Sequence, residues 1–303
     1  MAANSDTVWH VPEPTAIREI QVDSGTTICL RRHGNPEGPR LVMSHGNGMA
    51  VDLYYPFWSH LLADFDLVIY DLRNHGWNEV SSLEDHNIPT LISDHDRVQE
   101  AIGEHFGQKP QVGVFHSVSA LISLLSPARG GYFSALVLYD PPICKPGRGL
   151  REFELASERA AGMARRRTDK FTQEKDLSEL LPFFPPFQLF APGVFELMAR
   201  TTLREIEDGS GYVLRCPRDY EAQMVDYAGI YAVAVDFDTL VCPVKVIGAD
   251  PTLPYSYLPT LDLSDILSVD YDFLPEASHF LQLEKPAECA AALRNYLGSL
   301  SIG

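Results

Sequence analysis

The chain has 303 residues, 45% of them hydrophobic, and sets 24 lysines and arginines against 41 aspartates and glutamates, for a formal net charge of −17. So acidic a balance excludes partners that demand basic patches, so neither nucleic acid nor an anionic membrane is expected to bind. The length and apolar content suit one large α/β domain plus an insertion, without a second unrelated core.

In chain order, the first predicted elements are two strands near residues 17–22 and 27–32, parted by the turn Asp23-Ser24-Gly25, which together make a hairpin. The apolar run Leu41-Val42-Met43 then enters Ser44-His45-Gly46-Asn47-Gly48. Its glycines let the backbone approach a ligand closely, so the N–H of Asn47 is the expected donor to a developing oxyanion, and His45 is expected beside the substrate. The strand over 67–70 leads into Asp71, Arg73 and His75, which are expected to brace the loops beneath a site.

A helical pattern over 94–106 precedes the strand Val112-Gly113-Val114-Phe115-His116, which ends at Ser117. A strand that turns sharply into a helix at a serine lifts the hydroxyl above the sheet edge, and leaves the next N–H, that of Val118, to receive an oxyanion. Small residues are favoured around such a turn. Ser119 and Ala120 meet that need on the helix side, and Phe115 departs from it. The strand over 136–139 then delivers Asp140, followed by Pro141 and Pro142.

The alternation of strands and helices breaks between 144 and 236, where charged helical stretches near 149–171 and 187–207 predict a helical cap, or lid, inserted into a core formed by 1–143 and 237–303. Phe183, Phe184 and Phe187, in a segment stiffened by prolines, are expected to line an apolar substrate pocket, as is Tyr255. The run Ala164-Arg165-Arg166-Arg167 reads as a solvated helix face, with a local anion contact as the alternative. Past the insertion, the strand over 244–248 delivers Asp250, and a last strand leads to Ala277-Ser278-His279-Phe280 before a helix near Pro286.

Ser117 is thus the expected nucleophile, His279 the general base and Asp250 the acid that orients it, with Asp140 as the alternative acid. The order Ser, Asp, His is that of the α/β-hydrolases. His45-Gly46, Asp71-x-Arg73-x-His75-Gly76, His116-Ser117-x-Ser119, Asp250 and Ala277-Ser278-His279-Phe280 resemble, in that order, this superfamily's oxyanion turn, D-x-R-G-H-G stretch, nucleophile elbow, acid and terminal histidine. Asn74 and Ser278 stand where the family usually has glycine.

The resemblance covers nearly the whole chain apart from its middle. It implies a mostly parallel, eight-stranded-type sheet flanked by helices, and a serine hydrolase cleaving an ester or lactone of a small, largely apolar molecule through an acyl-enzyme. A similar triad would serve carbon–carbon cleavage of a diketone, and a member whose chemistry has lapsed would bind its ligand unchanged.

No cofactor is expected, because protein groups supply the nucleophile, base and oxyanion donors. No metal is expected either, since His10, His33, His60, His86, His95 and His105 share no ligand spacing. Cys29, Cys144, Cys216, Cys242 and Cys289 are odd in number and lack C-x-x-C spacing, which indicates a reducing compartment. With no leader pattern in residues 1–14 and no long apolar run, a soluble cytoplasmic protein is expected, as a monomer or a homodimer, with a small molecule as its partner.

Overall fold

The computed structural model describes residues 7–145, 147–253 and 269–302. The strands are β1 (Ala16–Gln21), β2 (Thr27–Gly34), β3 (Arg40–Ser44), β4 (Asp66–Tyr70), β5 (Gln111–His116), β6 (Ala135–Tyr139), β7 (Lys170–Phe171), β8 (Leu203–Glu205), β9 (Tyr212–Leu214), β10 (Val244–Gly248) and β11 (Asp270–Phe273). The α-helices are α1 (Tyr55–Trp58), α2 (Ile88–Phe106), α3 (Val118–Leu125), α4 (Arg148–Arg166), α5 (Glu174–Leu180), α6 (Val194–Thr202), α7 (Arg218–Tyr231), α8 (Leu281–Glu284) and α9 (Pro286–Ser299). None of the described helices is long and apolar enough to cross a membrane.

Eight strands form the main sheet in the order β1-β2-β4-β3-β5-β6-β10-β11. β2 runs antiparallel to β1 and β4, and the strands from β4 to β11 pair in parallel. The central strands read as unbroken apolar runs because helices cover both faces. Leu41, Val114 and Val137 point into one buried cluster, while their chain neighbours Val42, Phe115 and Leu138 point into a second on the other face. Parallel pairing brings the C-terminal ends of β3, β5, β6 and β10 to one edge, where such sheets place their sites.

Helix α2 starts at Ile88, earlier than the periodicity near 94 predicts, because Asn87 caps it by accepting the Thr90 N–H at 2.9 Å and Pro89 suits its first turn. The segment between β6 and β10 is less helical than expected. It holds a three-stranded antiparallel sheet, β7-β9-β8, whose strands are two or three residues long and too short to show alternation in sequence. The expected helix over 149–171 stops at Arg166, and within 187–207 the α-helix spans only Val194–Thr202. Helices α4 and α7 of this insertion pack together over the C-terminal edge of the main sheet.

Candidate active site

Ser117 sits at the junction of β5 and α3 with φ 53° and ψ −121°, the left-handed side of backbone space that a non-glycine residue occupies only when its surroundings impose it. Those surroundings are visible. The Ser117 N–H donates to the carbonyl of Tyr139 at 3.0 Å, and the Ser119 hydroxyl accepts the His116 N–H at 3.1 Å while donating to the His116 carbonyl at 2.9 Å. A side-chain clasp at Ser119 therefore stands where the family uses glycine. Phe115 is accommodated on the face of the sheet that α3 also covers, where it is buried against Phe133 and His95.

The imidazole of His279 lies between two partners. Its Nε2 is 3.0 Å from Ser117 Oγ, and its Nδ1 is 2.6 Å from Asp140 Oδ2. A carboxylate can only accept, so Nδ1 carries the proton and Nε2 is left to take one from the serine. The second Asp140 oxygen accepts the Ala249 N–H at 3.0 Å.

The acid that meets the base is therefore Asp140, and the expectation of Asp250 is corrected. One Asp250 oxygen accepts from the Thr252 N–H and hydroxyl at 2.9 and 2.7 Å, and the other accepts the Glu276 N–H at 2.7 Å. These bonds, the Glu276 N–H first, hold its carboxyl below the usual aspartate range. Asp250 ties its own loop to the loop that carries His279 and so acts on the base only through the backbone.

The remaining expected residues divide. Val118 is the first residue of α3, so its N–H has no carbonyl within the helix, and both Val118 and Asn47 line the cavity beside Ser117. Gly46 is needed there, since a Cβ would come within 2.7 Å of His116 Nδ1 and 3.2 Å of the Ser117 Cβ. His45 is fully buried and outside the cavity, contrary to expectation. Its Nδ1 donates to the Gly46 carbonyl at 2.7 Å and its Nε2 accepts the Leu72 N–H at 3.0 Å, so it shapes the turn and does not touch substrate. Phe187 lines the cavity, but Phe183 is 80% exposed and Phe184 43% exposed, both away from it. The prolines that flank these rings open two short 3₁₀ turns, Leu181–Phe183 and Pro185–Phe187, and two of the three rings face outward. Tyr255 lies outside the described residues.

Three groups that sequence reasoning did not single out organise the site. Tyr54 accepts the Gly46 N–H at 3.1 Å and donates to His116 Nδ1 at 2.7 Å, while His116 Nε2 donates to the His279 carbonyl at 2.8 Å. This chain joins the oxyanion turn to the backbone of the base. Burial, and then the neighbouring His279, hold the His116 imidazole well below its usual pKa, so it stays neutral. Glu284 accepts from both the N–H and the hydroxyl of Ser278, which occupies the family's glycine position, and so anchors the loop before His279.

Below the site, Asp71 accepts from the Val51 and Trp77 N–H groups and pairs with Arg31 at 2.7 Å, and Arg73 forms a two-pronged contact with Asp94. His75 Nε2 accepts the Gly48 N–H at 3.0 Å. His75, His86 and Cys216 bring ligand-type atoms within 4.8 Å of one another, a grouping with no sequence spacing to announce it. The lone pair that His75 would give a metal is engaged by Gly48, so the trio works as packing.

Burial lowers the imidazoles of His33 and His45 to about 4, and those of His75, His86 and His95 to about 3. The unfolded chain, with histidine near 6.5, binds these protons more readily than the fold does, so stability is intact above pH 6.5 and is lost as pH falls toward 4. Thermal melts are expected to shift steadily downward between pH 6.5 and 4.5 and to stay level between 7 and 8. A melt unchanged at pH 5 would show that these rings are not held neutral.

The strained serine after β5, the histidine that meets it and the glycine turn after β3 stand together at one edge of a mostly parallel, helix-flanked sheet. The chain matches the model of the alpha/beta hydrolase family over residues 41–292, and it belongs to that family. A curated relative, "Abhydrolase domain-containing protein ACTT2-1" of Alternaria alternata, is 26% identical over 228 residues, which are 63% of this chain and 84% of the relative. Among solved structures, the chain is similar to an E-2-(acetamidomethylene)succinate hydrolase, with a TM-score of 0.75, 16% identity and coverage of 93% of this chain and 99% of the other. It is also similar to a thermophilic esterase from Thermogutta terrifontis with malate bound, with a TM-score of 0.66, 16% identity and coverage of 94% and 99%.

Proposed function

We propose that the protein is a serine hydrolase that cleaves an ester or lactone of a small molecule. The observation that carries this reading is the unbroken contact from Ser117 Oγ through His279 to Asp140, at 3.0 and 2.6 Å, built on a strained elbow. In this reading His279 takes the Ser117 proton as the oxygen attacks the carbonyl, Asp140 keeps the ring in the tautomer that can do so, and the N–H groups of Val118 and Asn47 receive the oxyanion. His279 then returns the proton to the leaving alcohol, and water, activated by the same ring, releases the acid.

The cavity above Ser117 measures about 130 Å³. Met49, Met198 and Met224 together with Phe153, Phe187 and Phe280 give it a mostly apolar wall, which suits a small and largely apolar acyl or alcohol part. The insertion supplies much of this wall through α4, α6 and α7, so it acts as a cap over the triad.

A fluorophosphonate serine probe, followed by peptide mapping, tests the reading. Labelling is expected at Ser117 and is expected to vanish in Ser117→Ala. Folded protein that takes up no label at Ser117 would remove the activated nucleophile and leave a ligand-binding role in its place.

A further inference from the structure

The apolar cavity has a charged side, where Arg167 and Glu221 both line it. Of the run Arg165-Arg166-Arg167, the first pairs with Asp226 on the outer surface and the second is exposed, but Arg167 turns inward where α4 ends, its backbone leaving the helix at φ −67° and ψ 153°. Its side chain lines the same cavity as Ser117, and it is the only lysine or arginine among the described residues that do.

Arg167 meets Glu221 of α7, with Nη2 2.9 Å from Oε2, yet the approach is poorly directed. Arg167 Nε and Glu221 Oε2 are both buried without a hydrogen-bond partner among the described residues. The Arg167 side chain is 26% exposed, but its Nε is shielded from water, and a buried donor left unmet costs free energy unless something else accepts from it. The planar fork presents five N–H donors and suits a carboxylate, which accepts from two of them at once. The Glu221 carboxyl lies close over Gly48, where an added Cβ would come within 2.9 Å of its Cδ, and its backbone carbonyl accepts from the Asn47 side chain at 2.8 Å.

We infer that Arg167 receives an anionic group of the substrate, and that the enzyme's substrates are small esters or lactones carrying a carboxylate in addition to the scissile carbonyl. The inference rests on the serine-hydrolase reading and narrows it: one end of the molecule lies over Ser117 against the apolar wall, and its carboxylate accepts from Arg167. The overall charge of −17 does not oppose this, because charges beyond about 8 Å are largely screened at physiological salt while a guanidinium lining the cavity acts at contact.

Two measurements test it separately from the triad. The first is the ratio of kcat/KM for mono-p-nitrophenyl succinate to that for p-nitrophenyl butyrate, in the wild type and in Arg167→Met and Arg167→Gln. The ratio is expected to fall about 10- to 100-fold in both variants, mainly through KM for the succinate ester. A ratio that stays the same, in variants that still melt cooperatively, would overturn the inference.

The second is calorimetric binding of monoethyl succinate to Ser117→Ala, with and without Arg167→Met. Binding lost with the arginine supports the assignment even if Ser117 fails to label, whereas binding that persists without it overturns the assignment even if Ser117 is active. Inorganic phosphate in place of the half-ester, bound equally well in an Arg167-dependent way, would also overturn the carboxylate assignment by showing a site for anions in general.

Discussion

Asp140→Asn is expected to lower kcat on an activated ester by roughly 10³- to 10⁴-fold, because the amide favours the wrong tautomer of the base. In the present geometry Asp140 Oδ2 accepts the Nδ1 proton of His279, and an asparagine there can turn an NH₂ toward Nδ1 and move the ring proton to Nε2. Nε2 would then face Ser117 Oγ as a donor and could no longer act as a base. The companion variant Asp250→Asn is expected to keep kcat within about threefold of wild type, since its loop contacts lie away from the reacting atoms, and to lower the melting temperature slightly. Steady-state kinetics on purified variants decide between them. A collapse with Asp250→Asn and near-normal turnover with Asp140→Asn would return the acid's role to Asp250.

Removal of either reacting member should cost still more. Ser117→Ala and His279→Ala are each expected to reduce kcat by about 10⁴- to 10⁶-fold, and the double variant is expected to be no slower than either alone, because nucleophile and base act as a unit. The 3.0 Å contact between them is the structural basis: without the imidazole the hydroxyl keeps its proton, and without the hydroxyl the imidazole has none to take. Residual turnover would come from Val118, Asn47 and the cavity wall, which these substitutions leave in place. If the losses multiplied in the double variant, the two side chains would be working independently, and the shared proton transfer would be wrong.

The choice between the two acids was written in the sequence more clearly than strand order alone suggests. Asp250 is followed by Pro251 and Thr252, and an aspartate two residues before a free N–H readily folds back on it, which Asp250 does. Asp140 is followed by Pro141 and Pro142, neither of which has an N–H, so its carboxylate has no local donor to fold onto and stays available for a distant one. The parallel sheet, Ser117 and His279 were legible because apolar runs, glycine turns and short motifs are local patterns. The Tyr54–His116 link, the Glu284 anchor and the inward turn of Arg167 were not. Each depends on which way one side chain points after distant strands have paired, and no spacing encodes that.

The Asn47 side chain donates to the Glu221 carbonyl and so ties the glycine turn after β3 to helix α7. Tyr54 and His75 hold the same turn from beneath, through the N–H groups of Gly46 and Gly48, so the turn keeps its shape without the insertion. What the Asn47 bond adds is a line of communication: a substitution that displaces α7 is felt at the turn through one side chain, and Asn47→Ala would separate the wall of the cavity from its floor.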